Sequence, residues 1–294
     1  LLLLRAMRPK QWIKNGFVLA ALIFSRHLFE VSYVWRSIAA AGIFCILSGA
    51  VYLINDIFDC ENDQSHPEKR NRPIASGALS VKTAGISAIF LVAASLIAAF
   101  QLDTRFGIVS TIYWALNLAY SVSLKHVVIL DVMIIASGFL LRAVGGAFAI
   151  DVSISSWFVL CTMLLALFLG FVKRRQELTL FEQDAGDHRQ ILKEYDQAFL
   201  DQAIGIVTAG TLVSYALYTM SPETATKLGT EHLNFTVPFV IYGLLRYLYL
   251  VHVKGEGGNP ASTLLGDTPL LINGLLWLFT LVAVLYFGSS DGAR

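Results

Sequence analysis

Nine apolar runs, each long enough to cross a bilayer, dominate what this chain can fold into. They lie at roughly 13–30, 35–59, 80–101, 105–123, 128–149, 154–174, 198–220, 234–252 and 269–288. A hydrocarbon core about 30 Å thick takes about 20 residues of helix, and it offers no water to backbone N–H and C=O groups. Each run must therefore close its own hydrogen bonds as a helix. The rest of the composition agrees: of 294 residues 56% are hydrophobic and 15% charged, with mean hydropathy +0.64, too little charge to solvate the surface of a soluble domain this long. The expected fold is all-α, a polytopic membrane bundle of nine transmembrane helices. No Pro-rich linker or repeat divides it, so residues 1–294 are read as a single domain. The opening LLLLRAMRPKQW is not read as a cleavable signal, because its apolar part is short and no small-residue cleavage site follows.

An odd number of spans puts the termini on opposite sides. Of the 22 Lys and Arg residues, sixteen then fall on the N-terminal side and five on the other, with Arg142 inside the membrane. By the positive-inside rule the N-terminus and the charged loops face the cytoplasm, and a multi-pass plasma-membrane protein is expected. A net charge of +1 gives no reason to expect a nucleic-acid partner. The linkers on the far side are short and carry no catalytic cluster. Cys45, Cys60 and Cys161 lack metal-ligand spacing.

The most informative stretch is NDIFDCENDQSHPEKRNRPIASG, from Asn55 to Gly77. If the helix continues, the spacings of Asp56, Asp59 and Asp63 put three carboxylates on one stripe, where like charges repel. At a membrane edge a divalent cation best explains such a stripe. Magnesium fits, because it takes hard oxygen ligands and completes its shell with waters and substrate phosphates. Lys69, Arg70 and Arg72 follow directly and suit the outer oxygens of a metal-bound diphosphate.

Other polar groups sit at the ends of neighbouring spans. In RPKQWIKNGF, Lys10, Lys14 and Asn15 are within reach of a phosphate, or else form an interfacial segment. Tyr120 and Lys125 flank the connection after the fourth span; folded over the acidic stripe, they supply a hydroxyl and a compact cation to a leaving diphosphate. The block KRRQELTLFEQDAGDHRQ holds Lys173, Arg174, Glu177 and Arg189, with Lys173 and Glu177 one turn apart. It is either a solvated amphipathic loop or a second phosphate or metal site, and His188 is read as a loop residue rather than a base. Arg142 within its span needs a partner, which is either a structural contact or a substrate phosphate. Asp267 is read as the cap of the last span. No Walker loop, GxSxG or GxGxxG occurs.

Asn55, Asp56, Asp59 and Asp63 read NDxxDxxxD, which resembles the first motif of the UbiA superfamily of intramembrane prenyltransferases; the expected nine helices and the charged loops agree along essentially the whole chain. Within it, RPKQWIKN, the Asn55–Gly77 stretch, YSVSLKH and KRRQEL look like the decaprenyl-phosphate phosphoribosyltransferase branch. That resemblance implies a UbiA-like fold and transfer of 5-phosphoribose from phosphoribosyl pyrophosphate to a polyprenyl phosphate. It also implies Mg2+, release of diphosphate, and a role in supplying the arabinose donor of mycobacterial and actinobacterial cell walls. Asp56, Asp59 and Lys125 would be the catalytic groups, and Asp56, Asp59 and Asp63 the metal ligands.

One departure stands out. Aromatic prenyltransferases of the superfamily carry a second DxxxD motif after the sixth helix, and here Gln183 stands four residues before Asp187. Glu177, Glu182 or Asp184 substitutes, or the second site binds differently. Two rivals follow: an aromatic prenyltransferase with a prenyl diphosphate donor, and a transporter or flippase. Charges concentrated in loops rather than in mid-membrane favour chemistry at the interface over passage. The sequence leaves a homo-oligomer open, along with prenyl chain length and the number of metal ions.

Overall fold

The computed structural model describes residues 1–65, 69–183, 190–255, 263 and 266–287. Every expected span falls on helix, and no strand occurs among the described residues. Eight long helices are α1 Val31–Phe58, α2 Val81–Leu102, α3 Thr104–Val122, α4 Leu130–Ala149, α5 Ser156–Gln183, α6 Gln197–Met220, α7 Val237–His252 and α8 Thr268–Phe287. The expected first span is built differently, as an eleven-residue 3-10 helix Pro9–Leu19 running into a short α-helix Ala20–Phe24. Among the described residues seven helices are long and apolar enough to cross a membrane. Helix α3 is not one of them, because Arg105, Asn117 and its hydroxyl-bearing residues dilute the apolar run.

The outward residues show which solvent the helices meet. On α2, Ile89 and Phe90 are 73% and 71% exposed, and Ile86 and Ile97 are exposed beside them. A row of large apolar side chains facing out is stable in lipid and costly in water. The chain is an integral membrane protein.

The chain packs as two compact units: residues 1–22 with 27–154, and residues 23–26 with 155–294. In the first, α1 packs against α2, α3 and α4, and the Pro9–Leu19 helix lies on α1 and α4. Phe44 is the hub, edge-to-face with Phe106 (5.6 Å) and Tyr113 (5.3 Å), among Val18, Leu47 and Ala99. Turns between helices are short because caps do double duty. Asp103 ends α2 and starts α3, accepting from the backbone N–H of Arg105 (2.8 Å) and Phe106 (3.0 Å). Gly146 is needed for close approach, since a Cβ there would lie 2.0 Å from the Val18 carbonyl oxygen.

Arg142, buried on α4, ties three segments together. Its Nε donates to Asn15 Oδ1 (2.7 Å), its Nη2 to the Tyr113 hydroxyl (2.7 Å) and its Nη1 to the Gly138 carbonyl (2.8 Å). The guanidinium carbon also lies over the Tyr113 and Phe139 rings, at 4.7 and 5.6 Å. Asn15 Nδ2 continues the network to Ser48 Oγ (3.2 Å) on α1. The partner expected of this intramembrane cation is a set of neutral oxygens and ring faces, which satisfies the guanidinium without burying a second charge.

In the second unit α5 packs on α6, and α7 packs on α6 and α8. Tyr215 bonds Thr236 (2.8 Å) and accepts from Trp277 Nε1 (3.1 Å) above Leu281 and Leu285. Asp267 caps α8 as expected, accepting from Leu270 N–H at 2.8 Å. It also meets Arg246, whose guanidinium holds the Asp267 carboxyl below the usual carboxylate range.

Two outcomes test this packing. Gly146→Ala should sharply reduce the yield of monodisperse protein in detergent, while Gly16→Ala, with nothing within 4 Å of its Cβ position, should not. Arg142→Met strands the Asn15 and Tyr113 oxygens and should cost about 2–4 kcal/mol in thermal unfolding. Unchanged unfolding with lost turnover would instead assign Arg142 to the substrate.

Candidate functional site

The last turn of α1 carries Asn55, Asp56 and, as its C-cap, Asp59. Asp56 is 2% exposed, so its charge needs a counter-charge close by. Two arginines supply it from distant segments. Arg8 precedes the Pro9–Leu19 helix and donates through Nη2 to Asp56 Oδ1; Arg72, after the short 3-10 helix Lys69–Asn71, donates through Nη1 to the same oxygen (3.2 Å). Arg8 holds a left-handed backbone, φ 54° and ψ 65°, uncommon for a non-glycine residue, and its guanidinium lies 4.9 Å over the Tyr52 ring.

The acidic stripe is interrupted. Helix α1 ends at Phe58, Asp59 takes φ −92° and ψ 4°, and a new short helix runs Cys60–Ser65. Bonds of the i to i−4 type persist, from Asp59 N–H to Asn55 O (2.9 Å) and from Asp63 N–H to Asp59 O (2.8 Å). The side chains nonetheless divide. Asp56 and buried Asp63 share one nitrogen, Arg72 Nη1, which reaches Asp63 Oδ2 at 2.5 Å. Asp59 turns to Lys125 Nζ (2.5 Å) and to Asn55 Nδ2 (2.9 Å), and Ser121 Oγ donates to Asn55 Oδ1 (3.3 Å). The expectation of three carboxylates around one ion is thus modified: among the described residues no three metal-ligating side chains form one group. The reason is local, because Asp59 has its own cation.

In kind the donors still fit a hard divalent ion. Arg72 Nη1 lies between Asp56 and Asp63, a place a cation shared by both carboxylates would take. Beside Asp56 opens a cavity of about 230 Å³ lined by Arg5, Ala6, Arg8, Asp56, Asn71, Arg72 and Pro73.

The other expected site residues are distributed as follows. Lys125 folds over the acidic turn as expected. Lys10 and Arg70 are exposed, and Lys14, Lys69 and Tyr120 half-buried. Asn15 and Arg142 are buried on each other, 2% and 6% exposed. In the second unit Lys173 lies 3.7 Å from Glu177, which also pairs with buried Arg174. Arg189, with Asp184, Asp187 and His188, lies outside the described residues, as does the side chain of Glu182.

Sequence reasoning passed over Arg8, Asn71 and Ser121. Arg8 had a faint signal, a cation directly before a proline at the head of a span; Asn71 and Ser121 had none, since their place depends on how separate segments meet. The second unit also holds an unforeseen set, Asp201 between Arg175 and His252 Nε2 (3.2 Å).

The model of the UbiA prenyltransferase family matches residues 16–254. The chain is 35% identical to a decaprenyl-phosphate phosphoribosyltransferase of Mycolicibacterium smegmatis, over 97% of this chain and 92% of that protein. To one of the same name from Corynebacterium glutamicum it is 34% identical, over 97% and 86%. Among solved structures it resembles a UbiA homolog from Archaeoglobus fulgidus bound to GPP and Mg2+, with TM-score 0.72 and 18% identity over 97% of this chain and 100% of that one. The same homolog bound to Cd2+ gives TM-score 0.69. With its helices, its acidic turn and these relatives in agreement, the chain belongs to the UbiA prenyltransferase family.

Proposed function

We propose that this protein transfers 5-phosphoribose from phosphoribosyl pyrophosphate to a polyprenyl phosphate, releasing diphosphate, as a Mg2+-dependent enzyme. Its setting is the plasma membrane, with the N-terminus and the acidic turn on the cytoplasmic face and residues 1–294 acting as one catalytic domain. The product would feed synthesis of a cell-wall arabinan precursor. The observation that carries the reading is identity of 34–35% across 97% of the chain to relatives bearing the phosphoribosyltransferase name. The site's inventory supports it: the carboxylates of the acidic turn are each already matched to a cation.

The chemistry is substitution at the ribose carbon bearing the diphosphate. An oxygen of the lipid phosphate forms the new C–O bond, and the bond to diphosphate breaks with its electron pair leaving on the diphosphate. The attacking phosphate is an anion at neutral pH, so no residue has to take a proton from it. Mg2+ held by Asp56 and Asp63, and by Asp59 once Lys125 turns from it to the substrate, would supply positive charge to the leaving group. Lys125 stabilises charge as it develops there, and Arg72, Lys69 and Arg70 of the loop after α1 add positive field from further off. Asn55 fixes Asp59 from one side while Ser121 fixes Asn55 from the other. Carboxylate charge beside the ring carbon also stabilises the positive character it gains as diphosphate departs. In the first unit Lys10, Lys14 and Tyr120 are proposed to bind substrate, and Asn15 and Arg142, through their buried network, to position the helices that do so; in the second unit Lys173, Arg174, Glu177 and Arg189 are proposed as a further phosphate-binding set.

Purified protein in detergent, given labelled phosphoribosyl pyrophosphate, a polyprenyl phosphate and magnesium, should move label into the organic phase, and EDTA should stop it. Asp56→Asn and Asp59→Asn should each lower turnover by about 100-fold or more, with the protein still monodisperse on gel filtration. No transfer, together with consumption of a prenyl diphosphate by an aromatic acceptor, would move the chain to the aromatic prenyltransferases.

A further inference from the structure

The cavity beside Asp56 does not include the groups that handle the acidic turn's other flank. Lys125, Asp59 and Asn55 are absent from its wall, which is formed by Arg5, Ala6, Arg8, Asn71, Arg72 and Pro73, with Asp56 as the one member from a spanning helix. Asp56 therefore divides two cationic places: Lys125 with Asp59 on one side, and the arginine-lined cavity on the other.

The cavity has more positive charge than its own carboxylate uses. Three arginines face one aspartate. Among the described residues Arg72 engages only Nη1 and Arg8 only Nη2 in hydrogen bonds, and Arg5 makes no side-chain hydrogen bond or ion pair. N–H groups remain on three guanidinium forks, and Asn71 adds an amide. Planar forks with spare donors match the oxygens of a phosphate monoester. The backbone of Arg8 is held in a left-handed conformation where Pro9 follows, so one of these forks is placed at a conformational cost. Apolar lining is limited to Ala6 and Pro73, and about 230 Å³ leaves room for a phosphoryl group and adjoining sugar atoms but gives an isoprenoid chain no wall to lie against.

We propose that the Arg5, Arg8, Asn71 and Arg72 cavity binds a phosphate monoester, and that it takes the 5-phosphate end of the sugar donor while the diphosphate end is handled across Asp56. This rests on the phosphoribosyl reading and deepens it. A phosphoribosyl donor is anionic at both ends, whereas a prenyl diphosphate has one anionic end, so two cationic places flanking one carboxylate select the first. The cavity's wall lies almost wholly in segments outside the spans, which suits a water-soluble donor rather than the phosphate of a membrane-anchored acceptor. Arg5 and Asn71 are then specificity residues that touch the donor away from the bonds that change.

Arg5→Gln and Asn71→Ala test this without disturbing the ion pairs on Asp56. Each should raise KM for phosphoribosyl pyrophosphate about tenfold or more with kcat changed far less, the loss expected of one charged hydrogen bond. Binding of ribose 5-phosphate, followed calorimetrically with EDTA present, should be seen with wild type and weakened by the same factor in Arg5→Gln. Inhibition of transfer by inorganic diphosphate should stay as in wild type. Unchanged ribose 5-phosphate binding in both variants would overturn the assignment. So would weakened binding of a short-chain prenyl monophosphate with ribose 5-phosphate unaffected, which would hand the cavity to the acceptor. If wild type transfers no phosphoribose yet binds ribose 5-phosphate through Arg5, the functional reading fails while the phosphate site stands.

Discussion

A carboxylate at the end of an apolar helix cannot stand alone. Asp56 is buried where water is scarce, and its charge is tolerable only if cations are brought to it. Arg8 comes from the segment ahead of the first span and Arg72 from the loop after α1. Lys125 comes from the turn between α3 and α4 and serves Asp59 in the same way. Much of what surrounds this end of the first unit follows from that demand. The N-terminal segment must return to α1, which it does by burying Ala6 and Met7 against Leu53 and Ile74. The loop after α1 must fold back over it, and Gly77 with φ 75° closes that loop.

Arg142 presents the opposite problem and receives a different solution. A cation buried between helices is matched here by an amide oxygen, a hydroxyl, a carbonyl and two ring faces rather than by a carboxylate. Neutral acceptors leave the network with one charge instead of two desolvated ones, and they come from three segments, so satisfying Arg142 also sets their spacing. The aspartates near the helix end are paired with flexible cations that can exchange partners for a substrate's phosphates. Arg142 is held by groups that have nothing comparable to exchange for. Binding chemistry and architectural chemistry are thus separated along the first unit by the kind of partner each charge meets.

Much of the fold was legible because it rests on local physics. Runs of about 20 apolar residues have one hydrogen-bonded option in lipid, so every expected span is helical. Capping is equally local, and Asp267 could be read as a cap from the residues beside it. The first span shows the limit. Its residues read as one apolar run, yet it forms a 3-10 helix and a short α-helix, with Gly146 leaving room for the Val18 backbone and Arg142 donating to Asn15. Those contacts come from α4, more than a hundred residues away in the chain.

By itself the sequence determined the membrane class, the helical segments and the acidic turn with its neighbouring cations, since periodicity, length and short-range spacing are properties of consecutive residues. Only the tertiary structure decided how those charges pair. Asp56 and Asp63 share Arg72 while Asp59 takes Lys125, Arg8 reaches across 48 positions to Asp56, and Asn15 goes to Arg142. The physical reason is that a buried charge is satisfied by whatever packing brings within about 3 Å, and packing joins segments whose separation along the chain carries no information about their distance in space.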